Sequence, residues 1–262
     1  MLGRLKIGEQ IAFKTILSLI VIIWIMPLAY LVYYSLQGDG FGNYLAVIRL
    51  GLFTRFLANS VIVVVCVVAI LVLIVALASF AFSKMQFPGR NLLFAFALFG
   101  MMIPPSAMLV PLFQTIKALE WINSYMSLIG PEIALMSAFA LLITRNFFNE
   151  IPDELFEAAR MDGASKIHQF YRIVLPLGMP ILITAGIIVF LHSWNEYMLP
   201  LAFISERTML TITMAPSYFI EEYSGDYNKV FAALVLISIP IMLLYLFGQK
   251  YLQRGLTSGA VK

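Results

Sequence analysis

The sequence predicts an all-α integral membrane fold of six transmembrane helices, with a helix–turn–helix in the loop between the fourth and fifth spans. Three observations predict it. Charged residues make up only 12% of the chain and hydrophobic ones 61%; a soluble domain carries about 25% charge, so most of this surface faces a solvent other than water. Six apolar runs approach the ~20 residues that a helix needs to cross the hydrocarbon of a bilayer. A long polar stretch, residues 145–176, separates two of those runs and has a helical pattern of its own.

The predicted spans are residues 15–36, 57–82, 92–112, 127–143, 177–203 and 230–252. Runs rich in Val, Ile and Leu satisfy their backbone hydrogen bonds in lipid as helices. The ~10-residue alternating segments of a membrane β-barrel do not occur. The first run follows Arg4, Lys6 and Lys14, as a signal peptide would. It is too long for one, and no small-residue cleavage site follows Tyr33-Tyr34-Ser35-Leu36, so it reads as an uncleaved first helix. The second run contains the one cysteine, Cys66, which reads as a small buried hydrophobe and can form no internal disulfide. Prolines punctuate the others: Pro104, Pro105 and Pro111 in the third, Pro131 in the fourth, Pro180 and Pro200 around the fifth, and Pro240 in the sixth. Each removes a donor and bends its helix, which suits a pathway as well as a bundle. All 262 residues read as a single transmembrane domain.

Basic residues set the expected orientation. With the N-terminus inside, twelve Lys and Arg fall in inner segments, Lys84, Arg145 and Arg172 among them, against five in outer segments: Arg49, Arg55, Lys117, Arg207 and Lys229. Both termini and the 145–176 loop are then cytoplasmic.

That loop can be read locally. Pro152 suits a first helical turn, and Asp153 and Glu154 favour the positive end of the helix dipole. Leu155, Phe156, Ala158, Ala159 and Met161 continue the helix, and Gly163 sits where it must stop and turn. Ser165 caps a second short helix, which Leu175-Pro176 ends ahead of the fifth span. An amphipathic helix resting on headgroups is the alternative, but such helices carry Lys and Arg. This one carries Glu150, Asp153, Glu154, Glu157 and Asp162, which a protein partner explains better.

Glu157-Ala158-Ala159, three residues, Gly163, nine residues, Ile173, one residue and Leu175-Pro176 together resemble the Glu-Ala-Ala loop of permease subunits of binding-protein-dependent ABC importers. The resemblance implies that Glu157, Ala158, Ala159, Arg160, Asp162 and Gly163 belong to a coupling helix that inserts into a groove on an ATP-hydrolysing partner. Met102-Ile103-Pro104, Val110-Pro111-Leu112, Asn123-Ser124-Tyr125 and Trp194-Asn195-Glu196-Tyr197 are similar to carbohydrate permeases of the maltose-transporter type, in their shorter six-span form. That resemblance implies a sugar or oligosaccharide as solute, a second permease subunit bearing the same loop, two ATP-binding subunits that hold ATP and Mg, an extracytoplasmic solute-binding protein, and a bacterial or archaeal plasma membrane. Another small solute, or ion-coupled secondary transport, is the alternative.

Glu196 carries weight independently, because a carboxylate within a span costs roughly 2.5–3.5 kcal/mol and normally faces a cavity or partner. With Trp194, Asn195 and Tyr197 it reads either as pathway lining, since aromatic faces and amide or acid groups hold sugars, or as packing near an aromatic belt. The outer segment 221–228 reads as a receptor contact or a solvated loop. His168 and His192 are isolated, so no metal site is expected. The Gly-x-x-x-x-Gly-Lys-Ser/Thr pattern is absent, as is any catalytic cluster. No basic stripe points to nucleic acid. The chain is therefore not expected to be an enzyme or to bind a cofactor.

Overall fold

The computed structural model describes residues 7–49, 51–222 and 226–257; Arg4, Lys6 and Lys262, and residues 223–225 of the outer segment, lie outside them. Among the described residues every regular element is helical. Five helices are long and apolar enough to cross a membrane, and one bent pair makes a sixth candidate span. The chain divides into two compact units.

The first unit comprises Met1–Phe53 and Ala215–Ile239. Its helix α1 (Ile7–Ser35) is apolar on every side, with Ile11 to Tyr33 largely exposed, as a helix surrounded by lipid is. Its end is fastened to α2 (Phe41–Arg49), where the Asn43 amide donates to the carbonyls of Ser35 and Gln37 at 3.0 and 2.8 Å. Two further helices contribute: α11 (Ala215–Glu222) stacks Phe219 on Phe53, and the start of α12 (Tyr227–Thr257) sets Phe231 against Tyr34.

The second unit comprises Thr54–Met214 and Pro240–Lys262. Its spine is α3 (Leu52–Lys84), on which Val63, Val67, Leu71 and Val75 form a buried stripe at four-residue spacing. The stripe packs on Leu128, Met136 and Ala140 of α6 (Met126–Asn149) and on Val189 of α9 (Leu175–Trp194). A second cluster near the end of α3 joins Ala76 and Phe80 to Phe148, Ile151, Phe156, Phe170 and Val174. Gly178 lets α9 and α6 touch there, since a Cβ on it would collide with the Phe148 ring.

Three expected elements come out differently. The third span is not one helix over 92–112: α4 (Arg90–Phe99), a tight turn over Gly100–Met102 and α5 (Pro105–Ala118) meet at a bend of 101°. Two adjacent prolines remove two successive donors, and the residue before a proline is pushed out of helical conformation. Ile103 accordingly lies at φ −92°, ψ 121°. Leu175-Pro176 does not end the second loop helix. Lys166–Trp194 runs unbroken for 29 residues, through α8 (Lys166–Gln169), a π-helical turn over Phe170–Val174 and α9. The wider turn, closed by the Leu175 N–H on the Phe170 carbonyl, makes room for a proline ring that a tight helix would exclude. The fifth span also stops at Trp194 instead of continuing to 203; Asn195 to Tyr197 interrupt it before α10 (Met198–Phe203).

Candidate functional site

Two regions of the second unit hold the residues singled out from the sequence. The first is α7 (Asp153–Met161) with the turn into α8. Here the spacing from Glu157-Ala158-Ala159 to Gly163 acquires a geometric cause. Ala164 N–H donates to the Ala159 carbonyl at 2.8 Å and Gly163 N–H to the Arg160 carbonyl at 3.0 Å, while Gly163 sits at φ 76°. This is the left-handed helix ending that favours glycine. Ser165 then starts α8, its hydroxyl accepting from the His168 N–H. Glu157, Ala158, Arg160, Asp162 and Gly163 are exposed and Ala159 half-buried. Met161 is 88% exposed and Ile167 71%, an apolar surface at the turn that no described residue covers. Phe156 is the buried side chain of α7, held in the cluster around Phe148 and Phe170. The Glu157–Arg160 pair, at 3.7 Å and solvated on both sides, adds little.

Lys84, at the end of α3, reaches the opposite end of α7. Its Nζ donates to the Ile151 carbonyl at 2.5 Å and to Asp153 Oδ1 at 2.7 Å, with a longer contact to the Asn149 carbonyl at 3.5 Å. It also lies 5.1 Å from the Phe156 ring centroid. The ammonium is held by the carbonyl end of α6, where a cation is favoured, and it keeps the Asp153 carboxyl below the usual range for an aspartate.

The second region is the interruption after Trp194. The Glu196 carboxylate accepts from the Leu199 N–H at 3.0 Å, starting α10, and the Glu196 carbonyl accepts from the Thr213 hydroxyl at 2.7 Å. The Asn195 amide turns back to the Leu191 carbonyl. Glu196 and His192 line a hollow of about 110 Å³, together with Pro105 and Ser106 from the bend in the third span. Tyr197 is exposed beside it. Of the two readings left open for Trp194, packing is the one its surroundings match: it is 2% exposed and stacked on Phe190, with ring centroids 5.6 Å apart. Its ring is buried against its own helix and does not line the hollow.

Glu132 and Asn59 went unrecognised in the sequence, and Asn123 and Tyr125 entered it only as part of a family pattern. Glu132 in α6 is a second carboxylate within a span, 1% exposed, with Oε2 unpartnered among the described residues. Asn59 holds the segment after α10 through the Thr208 and Leu210 carbonyls and accepts from the Tyr125 hydroxyl. Asn123, at φ 58°, accepts the backbone N–H groups of Ser205 and Glu206. A polar residue within an apolar run was the available signal for Asn59 and Glu132. Among the described residues no group of three His, Cys, Asp or Glu could hold a metal ion.

Residues 74–258 match the family described as "Binding-protein-dependent transport system inner membrane component". The chain belongs to this family. The matched residues contain both regions just described. Among relatives of this permease family, the probable ABC transporter permease protein YurM of Bacillus subtilis is 36% identical over 220 residues, covering 84% of this chain and 73% of the relative. The trehalose transport system permease protein SugB of Mycobacterium tuberculosis is 33% identical over 224 residues, covering 85% and 82%. The fold matches a chain from the crystal structure of a bacterial ABC transporter that imports the acidic polysaccharide alginate. The TM-score is 0.80 at 23% identity, over 94% of this chain and 98% of that one. The permease is thus an integral membrane component of a transport system, and its family is one of transport and not of catalysis.

Proposed function

We propose that this permease forms one half of the translocation pathway of an ABC importer for a sugar or oligosaccharide, driven by separate ATPase subunits through α7. The observation that carries the reading is a short acidic helix outside the spans, ended by Gly163 and exposing Met161 and Ile167 beside Glu157 and Ala158. Such a surface fits a groove on a soluble partner. Past the turn at Gly163, the helix that starts at Lys166 runs without a break into the span that reaches Trp194. Force applied to α7 is therefore delivered, through that turn, to the helix that ends at Trp194, two residues before Glu196 and the hollow. The sugar class is supported by the trehalose permease among the relatives and by a half-buried carboxylate on a polar edge of an otherwise apolar hollow.

The excess of Lys and Arg in the inner segments, twelve against five, supports a cytoplasmic location for both termini and α7, and the resemblance to binding-protein-dependent importers supports a bacterial or archaeal plasma membrane. A second permease subunit completes the pathway, two ATP-binding subunits hold ATP and Mg, and an extracytoplasmic binding protein delivers the solute. The test is uptake of a panel of labelled sugars and oligosaccharides by a deletion strain with and without the restored gene. Restored uptake of one class supports the reading. Solute transport by the purified permease alone in liposomes, with no ATPase subunit present, overturns it.

A further inference from the structure

We propose that Lys84 is a positioning residue for transport: it locks the coupling helix to the second span, so that a push on α7 moves α3 together with α6 and the fifth span. The inference rests on the coupling reading of α7 and adds a connection which that reading lacks. Chain continuity already ties α7 to α6 through residues 150–152 and to the fifth span through the turn at Gly163. Nothing in the covalent chain ties it to α3, which ends 69 residues before Asp153.

Lys84 supplies that tie. An ammonium has three donors, and all three have acceptors: the Asn149 carbonyl at the end of α6, the Ile151 carbonyl in the link after it and Asp153 in the first turn of α7. The Lys84 side chain is 5% exposed although its aspartate partner is 80% exposed. A cation so enclosed is held in place by its acceptors, not loosely paired across water. Phe80 of α3 and Phe156 of α7 are buried in one cluster, an apolar contact to which Lys84 adds a polar one, its Nζ approaching the Phe156 ring. The helix it fastens is nine residues long, or roughly 13 Å. So short a lever, joined to α6 only by residues 150–152, pivots about the buried Phe156 unless its N-terminal end is also clamped to α3. A purely structural role, as a cap on α6, would need only the two carbonyls; the Asp153 contact and the ring contact extend the clamp onto α7.

The experiment uses the complete importer in proteoliposomes, with sister permease, ATPase subunits and binding protein, and measures solute moved per ATP hydrolysed. Lys84→Met keeps the length of the side chain and removes its charge and donors. We expect the complex to assemble with its ATPase subunits and hydrolyse ATP, while solute per ATP falls at least fivefold. Lys84→Arg, which can still donate to the same acceptors, should recover at least half of that loss, and Asp153→Asn should fall between wild type and Lys84→Met. The proposal is overturned if Lys84→Met keeps the wild-type ratio, or if assembly and hydrolysis drop in proportion to transport, which marks a cap and nothing more. Gly163→Pro, measured in parallel, separates the two ideas: normal transport in that variant sinks the coupling reading itself, whatever Lys84 does.

Discussion

The turn at Gly163 gives the sharpest graded prediction. Its φ of 76° lies in the left-handed region, and a Cβ built there meets nothing within 4 Å. The cost of substitution is therefore backbone strain alone. Alanine pays about 1–2 kcal/mol for left-handed conformation, and asparagine less, since it adopts this ending more readily. Proline cannot reach the angle at all, because its ring fixes φ near −65°, and it also removes the N–H that Gly163 donates to the Arg160 carbonyl. The expected loss of about 3 kcal/mol or more falls on a turn joined to the bundle through Phe156, so the spans should still insert. Uptake normalised to the amount of permease in the membrane should rank Gly, Asn, Ala and Pro in descending order, with Pro near background. Wild-type uptake by the proline variant, or an alanine variant worse than proline, would refute the argument that this turn aims α7.

Three other outcomes follow from the same geometry. Glu157→Lys disturbs only an exposed pair worth less than about 1 kcal/mol, so membrane levels should stay normal while uptake is abolished; immunoblot and uptake together check this. Glu196→Gln keeps an acceptor for the Leu199 N–H but removes the charge at the hollow, and should change KM or Vmax for solute without altering assembly; unchanged kinetics count against a pathway role. Lys84 lowers the pKa of Asp153, so the contribution of this pair is present above the ordinary aspartate value of about 3.9 and disappears only as pH falls through the lower folded value. Asp153→Asn and wild type should therefore differ by a constant factor in uptake between about pH 5 and 8; a ratio that drifts toward one across that range would contradict the sign.

Much of the fold was legible because lipid imposes a simple rule: long apolar runs become helices. The loop motif was legible because a helix ended by glycine has a fixed spacing, here from Ala159 to Gly163, and it pointed to the family that residues 74–258 match. What escaped depended on partners distant in sequence. Lys84 read as one more basic residue for orientation, since Asp153 lies 69 positions away. The double proline at Pro104 and Pro105 was visible, but whether it would kink or break the helix depends on what packs against it. Trp194 looked like a sugar platform beside Asn195 and Glu196, yet Phe190, one helical turn earlier, takes its ring face; that spacing was readable and went unused. Glu132 was hidden by its apolar neighbours.

The most direct test of the central claim is site-directed cross-linking in the assembled importer, with Cys66 replaced by serine and single cysteines placed at Met161 or Ile167. Both positions are exposed, at 88% and 71%, so a reagent can reach them. Cross-links to the ATP-binding subunit that vary with nucleotide are the predicted result. Labelling of these positions from the extracellular side, or no cross-link to that subunit in any nucleotide state, would contradict the claim that α7 is the contact through which ATP drives this permease.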